Sequence, residues 1–249
     1  MTSIGEISQY IESILEIDRF PDYCPNGLQV EGGGEIRRVI GGVSASRDVL
    51  AAAAARQAEL VLVHHGLFWK GDSAVITGVK RQRLGLLLQH DINLLAYHLP
   101  LDAHASLGNN AGLGEALGLV VDGRFGHHDV GMLGHLPTSE SAIEFAARLG
   151  RALGREPLHI AGTERPVLRV AWCTGGAQSW LDAAADTGAD AFVTGEVSEQ
   201  TWHTAMERGI HFFAAGHHAT ERFGVQRLGA HLAAHFGLEF EFVDVANPV

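Results

Sequence analysis

The spacing of apolar residues predicts that helices and strands alternate along the chain. Residues 1–16 place apolar side chains at the spacing of a helix face. An apolar run that begins at 38, an Ala-rich segment at 47–55 and a second apolar run at 60–65 follow. This order predicts a strand, a helix and a second parallel strand, joined by a right-handed crossover. The pattern therefore predicts the α/β fold class.

The same pattern occurs a second time. A constant offset of 131 residues aligns 38–65 with 169–196 without a gap, and it places Asp190 opposite Glu59. Farther along, 91–98 and 209–217 are both apolar strands that end at a histidine, with one extra residue in the second copy. We therefore predict an internally duplicated protein built from two βαβ halves, with the functional site between them.

The repeat suggests limits for the parts of the chain. We assign 1–122 to a first α/β half, 123–166 to a connecting insertion and 167–249 to a second α/β half. Within the insertion, apolar residues set between glycines predict a short antiparallel segment, followed by a helix over 139–153. The chain ends with an amphipathic helix at 225–236 and a closing strand at 238–245.

Histidines and acids follow the predicted strands of both halves. Ligands bind at the carboxyl ends of the strands in open α/β sheets, so these side chains are the candidate site. The set comprises His64, His65, His98, Asp102, Glu196, His217 and Glu221. Both halves share one motif, a histidine at a strand end with an acid four residues later, and such a duplicated motif arises by chance far less often than a single histidine.

The spacing of these residues suggests how they bind metal. Successive side chains of a strand point to opposite faces, so His64 and His65 are expected to serve two different, neighbouring ions. His217 and Glu221 lie on one face if a helix begins at His217. Pro100 predicts a loop rather than a helix between His98 and Asp102.

The donor types indicate which metal and which chemistry to expect. Three or four imidazoles with two carboxylates suit Zn, Fe, Mn or Ni better than Ca or Mg. A carboxylate that bridges two divalent ions, roughly 3.5–4 Å apart, is typical of sites that activate water and polarise a substrate carbonyl or phosphoryl oxygen. The sequence therefore predicts a dinuclear hydrolytic centre.

Composition narrows the class of partner. The formal net charge of −11 argues against an extended nucleic-acid surface, whereas a metal centre still accommodates a small anionic substrate. No segment resembles a membrane span or a signal peptide, and the two cysteines suggest no disulfide framework. We expect a cytoplasmic protein with a small-molecule substrate and no membrane contact.

Other motifs carry weaker predictions. Gly32-Gly33-Gly34 is interpreted as a loop, Gly175-Gly176 as a turn that could alternatively approach a phosphate, and His127-His128 as surface residues. A basic cluster follows the first histidine pair, and it would serve either a nucleotide substrate or a solvated helix face. Its members are Lys70, Lys80, Arg81 and Arg83.

Several motifs in order resemble the Nif-three-like family, also catalogued as GTP cyclohydrolase I type 2. The resemblance covers nearly the whole chain and is closest to the short bacterial form of the family, which lacks an extra inserted domain. The motifs are Pro25–Gly32, Val63–Gly66, Tyr97–Asp102, Gly108–Asn110, Thr194–Glu196 and Ala215–Glu221.

The resemblance implies a duplicated α/β fold, a dinuclear metal centre and a toroidal homohexamer. It implies that the metal ligands are His64, His65, Asp102, His217 and Glu221. His98 and Glu196 are the candidates for proton transfer or substrate orientation. The family name implies hydrolytic opening of the guanine ring of GTP, and hydrolysis of damaged nucleotides is a related hypothesis that needs the same metal pair.

Two further hypotheses stay open at the level of sequence. In the first, the protein is a different metal hydrolase, such as a phosphoesterase or an amidase. In the second, it is a non-enzymatic metal-binding ring or regulatory interaction protein. Loss of turnover in a folded Asp102→Ala or Glu221→Ala variant distinguishes the enzymatic hypotheses from the last one.

Overall fold

The computed structural model describes residues 2–249 of the 249-residue chain. Within that range the chain forms ten α-helices and eleven β-strands, which confirms the α/β class. The chain divides into two compact units. The first contains the residues up to Leu101 and Gly224–Ala246, and the second contains Asp102–Phe223 and Asn247–Val249.

The first unit is built on a sheet with the strand order β1-β4-β3-β2-β11. Strands β4, β3, β2 and β11 run parallel, and β1 is antiparallel at one edge. The central strands are buried on both faces, as expected for parallel strands that helices cover. The elements that lie wholly in this unit are α1 (Ile4–Leu15), β1 (Gly27–Val30), β2 (Arg38–Ser44), α2 (Arg47–Ala55), β3 (Leu60–His65), α3 (Gly78–Gln89), β4 (Asn93–Ala96) and β11 (Glu239–Phe242).

The second unit is built on a mixed sheet with the order β5-β6-β8-β9-β10-β7. Its parallel part is β8-β9-β10, and Trp172, Phe145 and Phe213 are among the largest side chains of its core. The elements of this unit are α5 (Asn109–Leu117), β5 (Val120–Phe125), β6 (Gly131–Glu140), α6 (Ala142–Leu153), β7 (Leu158–Ala161), β8 (Val167–Trp172), α7 (Leu181–Asp186), β9 (Ala191–Thr194), α8 (Glu199–Arg208), β10 (His211–Ala214) and α9 (His217–Thr220).

Two further helices contain the points at which the chain passes from one unit to the other. Helix α4 spans Leu99–Ala103 and helix α10 spans Arg222–Phe236. None of the helices in residues 2–249 combines the length and the apolar character needed to cross a membrane.

Hydrogen bonds show the duplication at atomic level. The Glu59 carboxylate accepts the backbone N–H of Arg38 at 2.8 Å, and Asp190 accepts that of Arg169 at 2.9 Å. The strand registers match as well, since Val39 lies opposite Leu60 in the first unit and the residues 131 positions later lie opposite each other in the second. The offset found in the sequence is therefore a structural equivalence.

The units differ in extent from the halves drawn on the sequence. The closing strand β11 pairs in parallel with β2, so the C-terminal segment belongs to the first unit. The segment predicted as a connecting insertion is part of the second sheet, because β6 pairs with both β5 and β8. Strand pairing, which joins distant parts of the chain, accounts for both differences.

The prediction of a loop between His98 and Asp102 is wrong. Leu99–Ala103 is a short helix with Pro100 in its first turn. A proline is tolerated there because the first backbone N–H groups of a helix have no partner within the helix. The Leu101 N–H already donates to the His98 carbonyl at 2.8 Å.

Candidate metal centre

The first unit presents two histidines at the end of β3. His64 is fully buried, and its Nδ1 lies 2.9 Å from the Tyr97 carbonyl oxygen. A carbonyl only accepts hydrogen bonds, so Nδ1 carries the proton and the lone pair of the neutral ring is on Nε2, the atom suited to bind a metal. The Nδ1 atom of His65 lies 3.0 Å from the Ser44 hydroxyl.

Three imidazoles come together in this unit. One ring nitrogen from each of His64, His65 and His98 lies within 4.8 Å of the others. The centroids of the His64 and His65 rings are 4.6 Å apart, although strand alternation alone predicts that they diverge. The pairing of β3 with β4 ends at Val63, so the pleat does not hold the next two residues against β4.

His98 is fixed by an aspartate that the sequence analysis missed. The Asp22 side chain is only 2% exposed, and its Oδ1 lies 3.0 Å from His98 Nδ1. Oδ2 accepts hydrogen bonds from the Leu99 N–H and the Asn26 amide. Burial raises the pKa of Asp22, but the hydrogen bond and charge of His98, together with the other donors, hold it at about 2.

Asp22 could not be found by searching the ends of parallel strands, because it precedes β1. The available signal was the neighbouring Pro25-Asn26-Gly27 motif. The Asn26 side-chain oxygen accepts the His98 backbone N–H at 2.7 Å, so this segment fixes both the main chain and the side chain of His98.

The second unit places a histidine between two carboxylates. His217 begins α9, and its Nε2 lies 3.1 Å from Glu221 Oε2, as the spacing of four residues predicts. Its Nδ1 lies 2.7 Å from Glu196 Oε1. Burial lowers the pKa of His217, but the hydrogen bonds and charges of Glu221 and Glu196 outweigh it and raise the pKa to about 9.

Asp102 and Glu221 are buried carboxylates of the same unit. Oxygens of the two groups lie within 4.8 Å of each other. Asp102 Oδ1 accepts hydrogen bonds from the Asn109 amide at 2.9 Å and the Thr174 hydroxyl at 3.1 Å. Burial and the charges of these two carboxylates raise the pKa of the Cys173 thiol, so Cys173 is a protonated core residue next to β8.

The glycine turn after β8 gives the carboxylates space. Gly175 has a φ of +71°, and a Cβ atom on it would lie 2.1 Å from Glu221 Oε1. A Cβ on Gly176 would lie 3.4 Å from the Glu196 carboxylate, an ordinary van der Waals contact, so the close approach concerns Gly175. Neighbouring carboxylates repel anions, so the geometry favours the turn interpretation of Gly175-Gly176 over a phosphate site.

The donors of both units fit divalent transition metals. Imidazole and carboxylate are the ligands that Zn, Fe, Mn and Ni accept. In the second unit, Asp102 and Glu221 are two buried carboxylates, and the neighbouring His217 can offset the charge of only one of them, so ionising both needs further positive charge. A metal ion supplies that charge.

The basic cluster has local contacts of its own. Lys80 Nζ donates to the Ser73 carbonyl at 3.1 Å and lies 5.0 Å from the centre of the Phe68 ring. Lys70 and Arg81 are exposed. Whether this cluster binds a substrate stays a prediction, whereas the surface position of His127 and His128 is confirmed.

Comparisons with known proteins agree over the full length. A family model described as Duf34/NIF3 (NGG1p interacting factor 3) matches residues 2–248. A Pseudomonas aeruginosa relative named GTP cyclohydrolase 1 type 2 homolog is 49% identical over 250 residues, which cover 99% of this chain and 97% of the relative.

Solved structures show the same fold. The structure of protein ybgI, described as of unknown function, is 48% identical with a TM-score of 0.97 and covers 100% of both chains. A Thermus thermophilus protein is 38% identical with a TM-score of 0.91, covering 98% of this chain and 99% of its own. The resemblance seen in the sequence motifs is confirmed, and the chain belongs to the Duf34/NIF3 (NGG1p interacting factor 3) family.

Proposed function

We propose that the protein is a dinuclear metal-dependent hydrolase that acts on a nucleotide or a related small molecule. The proposed metal ligands are His64, His65, Asp102, His217 and Glu221. The observation that carries this proposal is the pair of buried carboxylates, Asp102 and Glu221, with oxygens within 4.8 Å of each other in the second unit. The trio of imidazoles in the first unit supports it.

The name of the Pseudomonas aeruginosa relative supports the nucleotide class of substrate. We propose a reaction of the GTP cyclohydrolase type, or hydrolysis of a damaged nucleotide. Two divalent ions, when bound, supply Lewis acidity and lower the pKa of water.

The chain's own groups then have separate tasks. His98 transfers a proton at Nε2, because Asp22 holds the opposite nitrogen of the ring. Glu196 orients His217 through Nδ1, so the Nε2 atom faces Glu221. This geometry favours orientation over direct proton transfer for Glu196.

The first test is the metal content of the purified protein by elemental analysis. Wild type is expected to contain about two transition-metal ions per chain, and Glu221→Ala is expected to lose them. Glu207→Ala is the matched control, since Glu207 is an exposed acid on α8 in the same unit. Wild type that has no metal and takes up none on reconstitution contradicts the proposal.

The second test is turnover of GTP and modified nucleotides by the metal-loaded protein. Asp102→Ala is expected to abolish turnover while the circular dichroism spectrum is retained. Phosphate esters and amides in the same screen test the alternative hydrolase classes. A metal-binding protein without any substrate, whose assembly depends on metal, would instead be a metal-binding ring or interaction protein.

We also propose the toroidal homohexamer that the resemblance implies. Exposed apolar side chains on and near α8, namely Val197, Trp202 and Met206, support a surface that packs against another copy. Light scattering coupled to size exclusion measures the mass in solution, and a monomer contradicts this part of the proposal.

A further inference from the structure

Two aromatic side chains lie beside the imidazole trio of the first unit. Tyr23 and Trp69, which we call the aromatic platform, have ring centroids 5.7 Å apart and planes inclined by 34°. The Lys70 N–H donates to the Tyr23 carbonyl at 2.7 Å, so the segments that carry the two rings are joined through the main chain. The platform is therefore a fixed feature.

The platform is close to the candidate chemistry. The His98 ring lies 5.0 Å from Tyr23 and 5.3 Å from Trp69, and both aromatic rings stand nearly perpendicular to it. Trp69 is also 5.8 Å from the His65 ring. A ligand that stacks on the platform would place its reacting atoms next to the histidines.

Tyr23 is more exposed than a tyrosine that only packs against His98 would be. The Tyr23 residue is 53% exposed, although a tyrosine whose role is packing buries most of its ring. Its hydroxyl lies 3.5 Å from His98 Nε2, which is long for a hydrogen bond. The exposed part of Tyr23 therefore faces solvent, where a ligand can reach it.

The surrounding charges select the kind of ligand. Aromatic faces bind either cations or planar π systems. A cation is disfavoured here, because metal ions bound at the imidazole trio would place positive charge beside the platform. A neutral, electron-rich heteroaromatic ring can stack on the aromatic faces and brings no positive charge near the metal ions.

We propose that Tyr23 and Trp69 form a stacking site for a purine-type heteroaromatic ring. This proposal rests on the proposed function, because it names the residues that hold the base of a nucleotide substrate. Stacking tolerates differences among bases, since every base presents a π face. Platform variants should therefore weaken binding of the base without affecting recognition of a ribose phosphate.

The test is calorimetric titration of the full-length, metal-reconstituted protein with guanosine, and with ribose 5-phosphate as the ligand that lacks a base. Tyr23→Phe retains the π face, whereas Tyr23→Leu keeps apolar bulk without it. Trp69→Phe and Trp69→Leu form the second pair. Leu88→Ala is the control, since Leu88 is an exposed apolar residue on α3 of the same unit.

We expect each platform leucine variant to weaken guanosine binding by about tenfold or more, and each phenylalanine variant to retain binding within about threefold. Affinity for ribose 5-phosphate and the metal content should not change. Equal guanosine affinity in the leucine and phenylalanine variants, or no guanosine binding by wild type, overturns the platform.

The two proposals fail in different ways. Elemental analysis and turnover on the same samples test the hydrolase, and guanosine affinity tests the platform. A protein that binds guanosine through Tyr23 and Trp69 but turns over no nucleotide contradicts the hydrolase and supports the stacking site. A protein that hydrolyses a nucleotide, but whose leucine variants keep their guanosine affinity, supports the hydrolase and contradicts the stacking site.

Discussion

His98 and His217 occupy matching places in the two copies of the repeat, but the carboxylates beside them come from different parts of the chain. Each histidine follows the third parallel strand of its copy, and each has a carboxylate within hydrogen-bonding distance of Nδ1, at 3.0 Å for Asp22 and 2.7 Å for Glu196. Glu196 belongs to the repeat and occupies the place of His65. Asp22 precedes the repeat, in the segment before β1.

The difference shows what duplication retained. The strand-end histidine and the acid four residues later are common to both copies, whereas the orienting carboxylate lies within the repeat in the second copy and outside it in the first. The two carboxylates also differ in their surroundings, since the Asp22 side chain is 2% exposed and the Glu196 side chain is 37% exposed. We expect the buried pair to contribute more to stability and the exposed pair to act mainly on metal binding.

The largest effect is expected from the acid that follows His217. Glu221→Gln keeps the shape of the side chain but removes the charge that faces His217 Nε2 at 3.1 Å. We expect metal affinity to fall by more than about 100-fold, because loss of a ligand exceeds the 10- to 100-fold cost of changing a group that only supports one. Competition with a chromophoric chelator measures the affinity, and Glu207→Gln is the control. Wild-type affinity in Glu221→Gln would remove this residue from the ligand set.

The second effect concerns pH and sharpens the contrast between the two histidines. The raised pKa of His217, about 9, means that this ring is protonated at neutral pH in the metal-free protein, so a metal must displace a proton. Metal affinity is expected to rise by about tenfold per pH unit between pH 6 and pH 8 for one displaced proton. Chelator competition at several pH values measures the slope. A flat profile would contradict the assignment of His217 as a ligand.

The same shift has the opposite sign for the stability of the metal-free chain. A pKa raised from 6.5 to about 9 stabilises the folded state fully below pH 6.5, and this contribution is lost as pH rises through 9. The free energy of unfolding of the metal-free protein, measured in urea, should therefore decline above neutral pH. This decline should be absent from the His217→Gln variant.

The third prediction compares the two orienting carboxylates directly. Asp22→Asn removes a buried charge that accepts hydrogen bonds from His98, Asn26 and Leu99, and it should lower the free energy of unfolding at pH 7 by about 2 kcal/mol. Glu196→Gln should lower it by less than about 1 kcal/mol, because its side chain is partly solvated. Urea unfolding measures both.

Its pH dependence provides the check. The pKa of Asp22 is lowered from 3.8 to about 2, so its contribution is present above pH 3.8 and is lost as pH falls through 2. The difference between wild type and Asp22→Asn should therefore shrink between pH 4 and pH 2. Equal effects of the two substitutions at pH 7 would mean that burial does not distinguish the two pairs.

The comparison also shows how far the sequence determines the structure. The constant offset located the duplicated strands, because buried parallel strands need continuous apolar runs that are visible in one dimension. The positions of the strand-end histidines followed from the same pattern. The extent of the two units did not follow, because the pairing of β11 with β2 joins segments about 200 residues apart, and such pairing leaves no local signal.

The orienting carboxylates show the same limit on a smaller scale. Glu196 was identified because it ends a repeated strand. Asp22 was missed because its importance depends on the fold of the loop around Asn26, which brings it to His98. Local pattern predicts the groups on regular elements, whereas a group held by a loop is recognised only when the fold is known.

The smallest expected effect is on the free energy of unfolding, and it comes from Pro100. This proline restricts the backbone of the His-x-x-x-acid segment in the first copy. Pro100 in the first copy corresponds to Ala219 in the second, and both lie in the first turns of short helices. Because the Pro100 position needs no N–H donor but the ring is buried, Pro100→Ala should increase the freedom of the unfolded chain and lose some packing, and lower the free energy of unfolding by about 0.5–1 kcal/mol. Urea unfolding at pH 7 gives the sign, with Ala219→Gly as a control that loosens the second copy in the same way. A gain in stability for Pro100→Ala would mean that the proline strains α4. Pro100 would then not help to position His98.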